Sequence, residues 1–141
     1  MTADDTPGIP DGYRRNAEAA GFAAEDIVAF QSRLVNSVYY REFTSEIAEE
    51  AIRRVKALKL DQIDTLDPVF ANDLFSLPYI LLSQTRSYRE MDVRDGNPYT
   101  AEQEIDRVES LAWLIHKTLT LKTSGQDTAA IAWANPHTRQ I

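Results

Sequence analysis

The stretch from Asp67 to Leu82 constrains this chain more than any other. It opens with Asp67-Pro68, a pair that reads as N-cap and first helical residue. The densest apolar run of the sequence follows. Phe70, Leu74, Leu77 and Leu81 are spaced by four, three and four, which stacks them on one helix face and places the core there. Pro78 interrupts the run, removing one helical hydrogen bond and crowding the carbonyl of Leu74. Either the helix kinks at Pro78 or two helices meet there. Its apolar neighbours favour a packing role over a ligand site. The pattern continues to Tyr88, and the polar residues after Leu82 carry the helix out of the core to an end near Met91.

The rest of the chain also reads as helix. Asp11 starts a short helix that Gly21 ends. Ile27, Phe30, Leu34 and Val38, with Val28, Val35 and Tyr39 beside them, give a wide apolar arc over about Ala24–Phe43. Thr44 and Ser45 cap a third helix to about Leu60, with Glu49–Arg53 and Glu50–Arg54 in the favourable order for surface ion pairs. Asp61 to Leu66 is a polar connector. Arg94 to Pro98 is a turn by composition. Thr100-Ala-Glu-Gln103 matches a capping box for a helix reaching Lys122, stopped by Gly125. Asp127 starts a last short helix to about Ala134, before Asn135-Pro136 breaks it. No segment alternates long enough for a convincing strand.

The fold expected is all-α: a single-domain bundle of about four longer helices plus two short terminal ones, over residues 11–135. A flexible arm at 1–10 and a tail at 136–141 flank it. The chain has 141 residues, enough for one core. Its net charge of −7 disfavours a broad nucleic-acid footprint and permits a basic partner. The absence of cysteine excludes disulfides, thiolate metal sites and cysteine nucleophiles. The first residues show no secretory signal, and no apolar run is long enough to span a bilayer, so a cytoplasmic location is expected.

His116 falls at the edge of its helix's stripe. Glu109 is too far to orient it, and His137 lies in the tail, so neither a general base nor a metal site forms around it. Arg53, Arg54, Lys56 and Lys59 read as an ion-paired face rather than a phosphate contact. Glu46-x-x-Glu49 with Asp61, Asp64 and Asp67 resembles, over a few residues, the paired acidic helical motifs of the MazG-type nucleoside triphosphate pyrophosphatases. The resemblance implies magnesium. The second motif lacks the family's Glu-x-x-Asp, and Glu49 sits about 200° around the helix from Ile47, towards solvent. Phosphate-loop, nucleophile-elbow and zinc-protease motifs are missing.

One helix is apolar almost all round, at Leu111-Ala-Trp-Leu-Ile115. Trp113 and Leu114 point away from the stripe of Ile105 and Val108. A chain this small has few other helices to enclose such a segment. Leu111, Trp113 and Leu114 are therefore candidate partner contacts. Arg86, Tyr88 and Arg89 form a second candidate cluster, suited to an anionic partner. The function expected is that of a small acidic protein without catalysis or cofactor. It would act by binding another protein or a second copy, as an adaptor, inhibitor, immunity-type or assembly factor. The alternatives are a dimeric helical regulator contacting nucleic acid, and a magnesium-dependent all-α hydrolase using helix carboxylates.

Overall fold

The computed structural model describes residues 8–96 and 100–136. Among them are six α-helices: α1 (Asp11–Ala19), α2 (Ala24–Tyr39), α3 (Ser45–Ala57), α4 (Pro68–Ser83), α5 (Tyr88–Arg94) and α6 (Thr100–Thr123). A 3₁₀ turn, Leu60–Gln62, lies between α3 and α4, and no strand occurs among the described residues. The protein is an all-helical bundle. Most of the proposed arm and tail, with His137, lies outside the described residues. Ile9, at the inner end of that arm, is half-buried against the core.

The two apolar segments meet each other. α4 and α6 pack side by side, α3 and α5 flank α6, and α1 covers α2 and α4. Phe70, Leu74, Leu77 and Leu81 are buried from α4, and Ile105, Val108, Leu111, Ile115 and Leu119 from α6. α4 runs through Pro78 as one helix, with the proline ring buried. Its start is as expected: Asp67 Oδ2 accepts from the backbone N–H of Val69 and of Phe70, at 3.0 and 3.1 Å. Thr44 Oγ1 likewise accepts from Ile47 N.

Gly21 and Gly125 end their helices at φ 100° and 70°. In each case the next residue's N–H reaches back to the last full turn, Phe22 to Ala17 O at 3.0 Å and Gln126 to Leu121 O at 2.8 Å. α2 ends the same way four residues short of Phe43. There the left-handed residue is Arg41, at φ 57°, with Glu42 N–H donating to Ser37 O.

Three expectations are corrected. α4 stops at Ser83, not near Met91, because Ser83 and Thr85 hydroxyls donate back to the carbonyls of Ile80 and Leu82. The second short helix is α5, a restart at Tyr88, rather than a C-terminal one. Residues 127–134 are not helical. Ile131 and Trp133 are both buried there, two residues apart. A helix would put them about 200° apart, whereas an extended chain puts both on one side.

α1 docks on the start of α4 through Asn16. Its amide donates to Thr65 O at 3.0 Å and its carbonyl oxygen accepts from Asp67 N at 2.7 Å. Gly12 faces the same carboxylate that caps α4. A Cβ there would lie 2.2 Å from Asp67 Oδ1. Helix propensity alone would make Gly12→Ala stabilising by about 1 kcal/mol. We expect the opposite, a loss of about 1 kcal/mol as the α4 cap is displaced, read as a lower urea midpoint with unchanged slope.

Candidate functional site

α6 presents one continuous solvent face. Glu102, Asp106, Glu109, Trp113, His116 and Thr120 recur at spacings of four and three and are all exposed. Trp113 is 64% exposed in the middle of the helix. Its indole lies 6.0 Å from the His116 ring, with the planes tilted at 31°. Arg89 reaches across from α5 to Glu102, with Nη2 3.1 Å from Oε2 and Nε bonded to Oε1. That contact holds the Glu102 carboxyl below its ordinary range. Arg89 is raised in turn, first by Glu102 and then by the fields of Asp106 and Glu109. The two candidate clusters therefore share a face: Arg89 sits at one end of the stripe that carries Trp113.

The other candidates divide differently. Leu111 is fully buried and belongs to the core, because it falls within about 60° of Val108 around α6. Leu114 is half-buried against that core, about 100° around α6 from Trp113. Tyr88 is buried, and its hydroxyl donates to Val38 O, so it is a packing residue and not a surface contact. Arg86 is exposed.

Beneath the face lies an ion-pair knot with no local sequence signal. Arg41 Nη1 is 2.5 Å from Asp92 Oδ1, and its Nη2 and Nε contact the two Glu104 oxygens at 2.5 and 3.1 Å. The guanidinium lies 4.5 Å over the Tyr88 ring. Asp92 is only 4% exposed. The Arg41 bond, helped by the Ala101 backbone, holds its carboxyl below the ordinary range against the cost of burial. The knot joins the end of α2 to α5 and the start of α6, and so fixes the platform on which Arg89 meets Glu102.

The remaining features offer less chemistry. An apolar cleft between Phe22, Phe30, Leu74 and Ile115 has a volume of about 20 Å³, room for little more than one water. Among the described residues no group of three or more His, Asp or Glu side chains could hold a metal ion. Asp67 is occupied as the α4 cap, and Glu46 and Glu49 are exposed. Two basic residues of α3, Arg54 and Lys56, are engaged within the fold, while Arg53 is exposed. Arg54 bonds Glu50 at 2.9 Å, and Lys56 bonds backbone carbonyls of the C-terminal segment. No described helix is long and apolar enough to cross a membrane. Searches of family models, curated proteins and solved structures found no match to this chain.

Proposed function

We propose that this protein is a non-catalytic binding protein that docks a basic segment of another protein on the outer face of α6. The observation that carries the reading is the exposed Trp113 set in line with three carboxylates. An indole offers a large apolar contact with little rotamer entropy to lose, and tryptophan is enriched among the residues that dominate binding energy. Glu109, with Asp106 and the Arg89-paired Glu102 on the same stripe, supplies a negative field that speeds encounter with a cationic partner and excludes acidic ones. A lysine or arginine of that partner would stack on the indole face. The chain's net charge of −7 acts in the same direction.

Capture from extract of the native cell tests this. The wild-type protein is expected to retain a basic partner that salt releases. Trp113→Ala should lower that retention roughly tenfold or more. Its unfolding free energy from urea titration should stay within about 0.5 kcal/mol of wild type, because the side chain contributes little to the core. Undiminished capture by Trp113→Ala, or capture indifferent to salt, would contradict the proposal.

A further inference from the structure

Residues 126–135 leave α6 at Gly125 and make a turn at 128–131, where Ile131 N–H donates to Thr128 O at 3.0 Å. They then run back along α3 as a strap that is extended from Ile131 onward. Its direction is fixed at both ends. Lys56, in the last turn of α3, donates to the carbonyls of Ala129 and Ile131 at 3.2 and 2.8 Å. Asn135 donates to the hydroxyl of Ser45, the first residue of α3, at 3.2 Å. Ile131 and Trp133 are buried while Ala132 and Ala134 face solvent. Trp133 meets the Phe43 ring edge-on at 6.3 Å.

The strap is anchored by side chains. Among the described residues no backbone–backbone hydrogen bond joins it to α3. Packing beside it is incomplete: a recess of about 350 Å³ is lined by Glu49, Ile52, Arg53, Lys56, Ile131 and Trp133. The Trp133 indole N–H is buried without an acceptor. The strap joins α6 through a left-handed glycine, Gly125, with open space around the position a Cβ would take. That is a turn able to open without breaking the core.

We infer that the α3 groove is a binding site for an extended Ile-x-Trp segment, filled here by the chain's own strap and exchangeable with the strap of a second copy. In the exchanged dimer every strap–α3 contact is rebuilt between chains, and only the hinge at Gly125 changes conformation. A second copy is the favoured occupant because its segment is the one whose fit to the groove is displayed. This inference is independent of the α6 face.

The absence of cysteine makes a direct test possible. Full-length Ser45→Cys and Asn135→Cys chains, mixed at high concentration under mild oxidation, bring their thiols together only if one chain's strap lies on the other's α3. The covalent heterodimer should exceed the two homodimers combined several-fold. Adding Trp133→Ala to the Asn135→Cys chain should reduce it roughly tenfold or more. If that variant does not fold, Ile131→Ala in the same chain should give a smaller reduction. A heterodimer no more abundant than the homodimers together, or one unaffected by the anchor substitutions, would overturn the inference. So would sedimentation of the wild-type chain as a monomer at every concentration.

Discussion

Arg41→Leu is expected to cost the fold about 3 kcal/mol at neutral pH, because it leaves Asp92 and Glu104 facing each other without their shared cation. The loss has two parts. Asp92 is almost fully buried and would keep its charge in an apolar setting. The stacking of the guanidinium on Tyr88 disappears. Leucine would keep the left-handed φ 57° that Arg41 already adopts, so that strain is unchanged. Arg41→Gly removes that strain and should still be markedly destabilised. Arg41→Lys keeps the charge but not the two-sided fork, and should fall between.

The pH dependence gives this prediction a second arm. In the wild type the folded-state pKa of Asp92 is depressed. Its contribution is present above the unfolded value of about 3.9 and is lost as pH falls through the folded value. In Arg41→Leu, burial and the facing Glu104 carboxylate outweigh the Ala101 backbone bond and raise that pKa, so acidification stabilises the variant. The gap between the two proteins should shrink from pH 7 to pH 4 in urea titrations. A pH-independent difference of less than about 1 kcal/mol would show that the knot contributes little.

Alkaline unfolding between pH 10 and 12 is the second large effect expected. Burial pushes the Tyr13 phenol from 10.0 to about 12, with the Asp73 carboxylate adding to the shift. Tyr88 is pushed equally far, by burial and then Glu104, against an opposing effect of Arg41. Both groups favour the neutral form in the fold. Their contribution is complete below pH 10 and is lost as pH rises towards 12. Each shift corresponds to roughly 2–3 kcal/mol, and together they rival the stability of a small domain. Loss of helical dichroism should therefore coincide with a late rise in tyrosinate absorbance. Tyr13→Phe removes one titration and should move the midpoint upward. A late rise that leaves the helices intact would contradict this account.

What was legible in the sequence was local. Asp67-Pro68, Thr44, Gly21 and Gly125 mark helix ends through chemistry confined to a single turn, and the structure places ends at each. The core stripes of α4 and α6 were legible because their period spans several turns. The knot was not. Arg41 is joined to partners 51 and 63 residues away, and arginine is not a residue that announces a left-handed turn. Tyr88 carries the α4 spacing but begins a new helix, since hydroxyls at Ser83 and Thr85 take up α4's last carbonyls. The strap's alternation covers only Ile131 and Trp133, too short to distinguish from helix by pattern. On α6, excess apolarity pointed to a second face. Leu111 is core by its angle to Val108 around the helix, but telling Leu114, which is half-buried, from Trp113, which is exposed, required knowing where the neighbouring helices lie.

Oxidative footprinting of the two tryptophans, with and without the captured partner, locates the docking surface. In the free protein Trp113 is open to reagent while Trp133 is shielded. If the outer face of α6 is the docking surface, the partner should slow labelling of Trp113 roughly tenfold or more and leave Trp133 unchanged. Full labelling of Trp113 in the saturated complex would place the partner elsewhere and contradict the account.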